Sequence, residues 1–306
     1  MIAVVDIGSN SVKVLVAKMQ HGVMQEIHLD AETTSLARGL PQTGELSHNS
    51  MLATLSALKR FKQKLDQLGV KDVKVIGTAA MREASNAQHF AQEINVIFPS
   101  PIEIISGSKE AEISLVGAMT ARPENISEES CLFADLGGAS TEIGFSKPHI
   151  LHTSTSLGAL KTHNALNLGS EAINDNDWKK AQDYIHSILE KEISPELKNK
   201  CANRKHLIAV GGTIVMATAA LGLKPFKEGC YHFERNDLEN FAEKLRKLDE
   251  AKRLEIPNIM RDRADILPFG IMLLTQIMSY LGQKDGISTV RGLRHGLATN
   301  FFADNK

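Results

Sequence analysis

The stretch Met1-Ile-Ala-Val-Val-Asp6-Ile-Gly8-Ser9-Asn10-Ser11-Val-Lys13-Val-Leu-Val16 decides how the rest of the chain is read. An apolar run, Ile2 to Val5, ends in the carboxylate of Asp6. Gly8 to Ser11 form a turn of small polar residues, and a second apolar run, Val12 to Ala17, follows. Two β-branched runs joined in this way predict a β-hairpin. Consecutive backbone N–H groups in such a turn can form a concavity for an anion. An acid beside that concavity sits badly against phosphate unless a cation bridges the two. The hairpin therefore points to phosphate held together with a metal.

The same design recurs. Cys131 to Phe145 again runs apolar strand, Asp135, the small-residue turn Gly137-Gly138-Ala139-Ser140-Thr141, then Glu142 and an apolar strand. A third glycine turn, Gly211-Gly212-Thr213, follows the apolar Leu207 to Val210 and opens a helix expected over Ile214 to Leu221. One such turn is common in any hairpin; two Asp-x-Gly hairpins and a Gly-Gly-Thr turn in one chain are a more specific signal.

At 306 residues the chain exceeds the usual size of one hydrophobic core, so two domains are expected. Its hydrophobic fraction of 42% and charged fraction of 23% describe an ordinary globular protein. A formal net charge of −1 offers no general attraction to nucleic acid or membrane, and neither is expected as a partner. No segment approaches the roughly 20 uncharged apolar residues of a membrane helix, and the N-terminus does not read as a secretion signal. Cys131, Cys201 and Cys230 are odd in number, show no metal-ligand spacing and read as reduced thiols of a cytoplasmic protein. The 11 histidines form no cluster of zinc-ligand spacing.

Outward from the first hairpin, His21-Gly22 predicts a turn and Val23 to Leu29 a third strand. Ala37 to Gly44 reads as a loop. Ser47 is placed to cap a helix over His48 to Leu68, with Leu52, Leu55, Leu58, Phe61 and Leu65 at helical spacing and Gly69 ending it. A strand over Asp72 to Gly77, a helix led in by Thr78 to Asn86 and ending before Pro99, a strand over Ile102 to Ile105 and a helix over Lys109 to Met119 complete a mixed sheet with covering helices. The polar, proline-bearing run Arg122 to Glu129 is the expected boundary, giving domains over 1–122 and 123–306. Beyond it the pattern restarts. A strand is expected over His149 to Thr155 and helices over Asp177 to Ile193, 237–253 and Ala264 to Leu281, and the segment after about residue 285 is a candidate for returning to the first domain. The fold class is α/β, a domain duplicated with a phosphate hairpin in each half, which implies a cleft between the halves.

Eight motifs stand in order along the chain: Asp6-Ile-Gly-Ser-Asn-Ser11, Thr78-Ala-x-x-Arg82-Glu-Ala-x-Asn86, Ile105-Ser-Gly-x-x-Glu110-Ala111, Asp135-Leu-Gly-Gly-x-Ser-Thr-Glu142, Ser156-Leu-Gly158, Gly211-Gly-Thr213, Arg263-Ala-Asp265-Ile and Gly292-Leu-Arg294-x-Gly296. The set resembles the family of exopolyphosphatases and guanosine pentaphosphate phosphohydrolases (Ppx/GppA), in its short two-domain form. The resemblance implies duplicated actin-like ATPase (ribonuclease H-like) domains and Mg²⁺-dependent hydrolysis of a terminal phosphoanhydride. The substrate would be inorganic polyphosphate, alternatively guanosine pentaphosphate. It implies Glu110 as the catalytic carboxylate that orients or deprotonates the attacking water. Asp6, Asp135 and Glu142 would supply the hard oxygen ligands that Mg²⁺ favours. Gly8, Ser9, Asn10, Ser11, Lys13, Arg82, Gly137, Gly138, Ser140, Thr141, Gly211 and Gly212 would hold phosphate. Short members also suggest a homodimer.

The chain departs from the family pattern at several places. Lys13 stands for an arginine and loses bidentate phosphate geometry. Lys109 replaces the first glutamate of a pair, which leaves Glu110 alone at its position. Arg38 and His295 stand where glutamates are usual, and Ala139 replaces a glycine. Two rival readings remain open on the sequence: a kinase of the wider superfamily, and a protein that senses polyphosphate or alarmone without turnover.

Overall fold

The computed structural model describes residues 1–98, 100–165, 171–227 and 229–305; the helix end expected at Pro99 lies outside them. The chain groups into two compact units, Met1–Gly117 together with Leu293–Lys306, and Ala118–Gly292.

The first unit is built on a five-stranded sheet: β1 (Ile2–Ile7), β2 (Ser11–Gln20), β3 (Val23–Thr33), β4 (Asp72–Gly77) and β5 (Glu103–Ile104), in the order β3-β2-β1-β4-β5. β1 pairs antiparallel with β2 and parallel with β4, and β4 pairs parallel with β5. All six residues of β1 are buried, as expected of a central strand covered on both faces. The turn expected at His21-Gly22 is present, with φ of 52° and 76°, the pair of left-handed residues that a two-residue hairpin needs. Ser47 caps the helix His48–Gln67 by accepting from the Ser50 amide. One core cluster places Ile2, Val4, Leu15 and Ala17 against Ala298, Leu297 and Phe301 of the helix Leu293–Asp304. That helix also lies close to the helix Gly107–Met119: a Cβ on Gly296 would stand 1.9 Å from the Ile113 carbonyl oxygen. Only glycine permits such contact.

The second unit carries a six-stranded sheet: β6 (Cys131–Leu136), β7 (Thr141–Phe145), β8 (Leu151–Thr155), β9 (His206–Val210), β10 (Tyr231–Glu234) and β11 (Asp285–Thr289), ordered β10-β11-β9-β6-β7-β8. β6 pairs antiparallel with β7 and parallel with β9, and β9 pairs parallel with β11. One large core joins Leu132, Ala134 and Ile143 of this sheet to Ile185 and Leu189, Phe241 and Leu245, and Phe269 to Met278 of three helices. Among the described residues no helix is long and apolar enough to cross a membrane.

Several expected elements are divided or displaced. The segment 37–44 is not all loop: Leu40–Thr43 forms a helical turn between Gly39 and Gly44, both left-handed. The helix after Thr78 is two, Ala79–Glu83 and Ala87–Asn95, because Asn86 turns its amide to bridge the Leu46 N–H and carbonyl. The helix expected over 237–253 is broken into Arg235–Arg246 and Glu250–Leu254, where the Asp249 side chain caps the second piece. Ser194-Pro195 ends one helix and also opens the next, Pro195–Ala202, with Ser194 as its cap. β10 and β11, short strands with charged residues, carry no clear period.

Candidate active site

In the first unit, β1, β4 and β5 run parallel, so their carboxyl ends meet at one edge of the sheet, where open α/β sheets bind ligands. The three segments that leave that edge are the Gly8–Ser11 turn, the helix bearing Arg82 and the helix bearing Glu110. The Thr78 amide donates to the Ile7 carbonyl and the Ile105 amide to the Gly77 carbonyl, tying the strand ends together.

The Gly8–Ser11 turn is closed by the Gly8 N–H donating to the Ser11 carbonyl at 3.1 Å. A Cβ on Gly8 would meet that same oxygen at 2.9 Å, which explains the glycine. The Ser9 carbonyl accepts from Ala37 N–H and the Asn10 carbonyl from the amides of Thr34 and Ser35. In a trans peptide the next N–H points opposite to the carbonyl, so the amides of Asn10 and Ser11 face away from this packing. That orientation can receive an anion. Ser9, Asn10 and Ser11 are all buried, and the hydroxyl of Ser11 lies 3.3 Å from that of Thr33.

Asp6 is buried at the end of β1, opposite Lys13 on β2, whose Nζ stands 3.6 Å from Asp6 Oδ2. Asp6 Oδ1 is buried and accepts no hydrogen bond. A desolvated carboxylate oxygen with no donor is costly, and a hard cation is the partner that its chemistry suits.

Arg82 and Glu110 are brought into direct contact. Arg82 Nη1 donates to Glu110 Oε2 at 2.6 Å and to the Ile105 carbonyl at 2.9 Å. The two side chains are 23% and 11% exposed, so the pair is largely shielded from water. Arg82, expected to contact phosphate, meets the Glu110 carboxylate through Nη1.

The second unit repeats the arrangement. β6, β9 and β11 run parallel, and their carboxyl ends carry Asp135 with its turn, Gly211-Gly212 and Gly292. The Gly137 N–H donates to the Ser140 carbonyl at 3.0 Å, and a Cβ on Gly137 would meet that oxygen at 2.8 Å. Both values match the first turn within 0.1 Å. The carbonyls of Gly137 and Gly138 accept from Ala159 and Lys161, which again turns the following amides the other way. Asp135 lies directly across the ladder from Glu142, where the first hairpin has Asp6 across from Lys13. Cross-strand neighbours share a face, and like charges there are unfavourable unless a cation joins them. The Ser154 hydroxyl donates to Glu142 Oε1 at 2.8 Å. A Cβ on Gly292 would strike Asp135 Oδ2 at 2.7 Å, so the backbone after β11 presses on this carboxylate.

Thr141, expected to hold phosphate, is fully buried and its hydroxyl donates to the Leu157 carbonyl at 2.8 Å, so its side chain braces the turn. Gly211 takes φ 137° and its Cβ would meet the Leu136 carbonyl oxygen at 2.8 Å, while Gly212 opens the helix Gly212–Ala220. The guanidinium of Arg263 sits over that opening: a Cβ on Gly212 would be 2.9 Å from Nη1, which donates to the Thr213 hydroxyl at 3.3 Å. Burial holds the Arg263 pKa below the usual arginine range. Sequence reasoning assigned Arg263 no role, although it stood in a quoted motif. Among the described residues no group of three or more His, Cys, Asp or Glu is placed to hold a metal ion. Mg²⁺ is commonly held by one or two carboxylates completed by water and substrate phosphate, a demand that the buried Asp6 carboxylate of the first unit suits by its chemistry.

The chain matches the sequence profile of the Ppx/GppA phosphatase family over residues 15–302. It belongs to that family. Its fold is the actin-like one of the Ppx/GppA proteins. An exopolyphosphatase from Cytophaga hutchinsonii superposes with a TM-score of 0.87 at 22% identity, covering 99% of this chain and 98% of that one. An exopolyphosphatase-like protein gives 0.88 at 19% identity, covering 98% and 97%. The Ppx/GppA family member of Aquifex aeolicus gives 0.78 at 21% identity, covering 100% and 98%. Membership places this chain among phosphatases, that is, hydrolases of phosphorylated substrates.

Proposed function

We propose that this Ppx/GppA protein is an exopolyphosphatase that releases terminal orthophosphate from inorganic polyphosphate with Mg²⁺. The observation that carries the proposal is the duplicated turn: each unit ends a buried strand in an aspartate and follows it with a turn closed by the same bond and the same excluded Cβ. A substrate made only of repeated phosphates asks for repeated anion holders and offers nothing else to read. The end-to-end likeness to an exopolyphosphatase supports the choice.

In this proposal the amides of Asn10, Ser11, Gly138 and Ala139, with Lys13, Ser9 and Ser140, hold phosphate oxygens. Arg263, beside Gly211 and Gly212, adds a cation there. Glu110 holds the attacking water and accepts its proton as the water oxygen bonds to the terminal phosphorus. The bridging P–O bond breaks, releasing orthophosphate and a chain one unit shorter. Arg82 fixes the orientation of Glu110. Asp6, Asp135 and Glu142 would serve Mg²⁺ directly or through its waters, and the ion would offset the charge on the transferring phosphoryl group.

Release of orthophosphate from long polyphosphate, tripolyphosphate, guanosine pentaphosphate and ATP, with and without Mg²⁺, tests the proposal. Polyphosphate is expected to be the fastest substrate, and Glu110→Gln to keep binding it while losing most release. Faster release from guanosine pentaphosphate would make the nucleotide the substrate. Tight binding with no release would make the protein a sensor.

A further inference from the structure

The second turn rests on the segment Ser156 to Lys161, a short loop that runs into the helix Ala159–Ala165, and that loop is held by a carboxylate outside the proposed site. The Ser156 N–H donates to Glu192 Oε2 at 2.6 Å and the Ser156 hydroxyl to Glu192 Oε1 at 2.7 Å. Glu192 is the last residue of the helix Asp175–Glu192. A negative side chain there opposes the helix dipole, so helix stability does not account for it. Its two oxygens meet the two donors of one residue, an arrangement that fixes the direction of the peptide as well as its position.

From Ser156 the contacts run directly to the turn. The Leu157 carbonyl accepts the Thr141 hydroxyl. A Cβ on Gly158 would lie 2.4 Å from the Gly138 carbonyl oxygen and from the Ala139 nitrogen, so the two backbones touch. The amides of Ala159 and Lys161 then bind the Gly137 and Gly138 carbonyls at 3.1 and 2.9 Å. Those two bonds set which way the Gly138 and Ala139 amides face.

We infer that Glu192 is a positioning residue for the Gly137–Thr141 turn: by holding both donors of Ser156 it sets the loop that aims the turn's amides. The consequence for catalysis rests on the phosphate role proposed for that turn.

The test compares full-length wild type, Glu192→Ala, Glu192→Gln and Ser156→Ala, well below their melting temperatures. Amide hydrogen exchange is followed in the turn and in β9, and orthophosphate release from polyphosphate is measured alongside. In Glu192→Ala the turn should exchange about fivefold faster while β9 stays protected. Its kcat/KM should fall about tenfold, the loss expected of a hydrogen bond to a charged group. Glutamine can accept from the N–H and donate to the hydroxyl oxygen, so Glu192→Gln should remain within about threefold of wild type. Unchanged exchange in the turn, or exchange raised equally in β9, would overturn the inference and leave Glu192 an ordinary structural contact. If Glu192→Ala fails to fold, Ser156→Ala, which removes one donor only, carries the same comparison. Wild type that releases no phosphate refutes the proposed function, while the exchange result still decides the positioning role.

Discussion

Arg82→Ala removes the cation that meets Glu110 in the first unit. At 2.6 Å and an effective dielectric constant near 20, their gross attraction is about 6 kcal/mol. Desolvation of both groups offsets much of that. Breaking a fully buried pair by deleting one partner costs about 3–5 kcal/mol. Here the side chains retain 23% and 11% exposure, so the loss should be smaller, about 2–3 kcal/mol, including the bond to the Ile105 carbonyl. At roughly 2–4 °C per kcal/mol the melting temperature should drop by about 4–12 °C. Urea unfolding of Arg82→Ala, Glu110→Gln and the double variant gives the coupling directly, expected at about 1.5–3 kcal/mol. In activity Glu110→Gln should lose about 10²–10⁴-fold in kcat, the usual contribution of a general base. Arg82→Ala within 0.5 kcal/mol of wild type (a threshold of about the scatter for neutral surface changes), or a double variant whose losses simply add, would refute the account of the pair.

Four further outcomes are expected. Mg²⁺ at about 100 times its dissociation constant should stabilise wild type by about 2.7 kcal/mol and Asp6→Asn by much less, read as a shift in melting temperature; equal shifts would remove Asp6 from the metal site. Gly8→Ala and Gly137→Ala, whose new methyls would meet carbonyl oxygens at 2.9 and 2.8 Å, should each cost about 1–3 kcal/mol in denaturant unfolding and lower phosphate release. Gly296→Ala should cost more than about 3 kcal/mol or prevent folding, because its methyl has no room beside Ile113; a soluble variant with wild-type melting would contradict the packing. Burial pushes the Cys201 thiol from 9.0 up to about 12, so the folded state keeps a proton that the unfolded chain loses. Its contribution to stability is complete below pH 9 and is lost as pH rises toward 12, by roughly 1.4 kcal/mol per unit; unfolding at pH 9 and 10.5 should show a shallower decline in Cys201→Ala.

The hairpins were legible because their chemistry is local. A β-branched run, an acid and a glycine two residues later are read within a dozen residues, and β1–β2 and β6–β7 form where those runs lie. The cap at Ser47 was visible for the same reason. Contacts between distant residues were not. Arg82 and Glu110 lie 28 residues apart, and nothing in either motif says that the arginine binds the carboxylate. Glu192 falls inside the helix expected over Asp177 to Ile193, and its partner Ser156 lies 36 residues earlier, so no local signal pairs the two. The break at Asp249 was hidden because an aspartate within a charged run reads equally as helix surface or as cap. The bond from the Thr141 hydroxyl to the Leu157 carbonyl was equally invisible, since the partner lies 16 residues on.

The helix Leu293–Asp304 belongs to the first unit although it follows the second unit in the chain. Ala298 and Leu293 fill two of that unit's clusters, beside Ile2 and Val4 and beside Ile76 and Ile113. Order of synthesis and order of completion are therefore reversed. On the ribosome, where domains fold as they emerge, the second unit has its whole sequence while the first still lacks a wall of its core. The opening hairpin must wait, with its apolar strands incompletely covered, until Leu293 to Asp304 arrive. A free chain cut after residue 292 should then protect β6 and β9 from proteolysis while leaving β1 and β2 open to it.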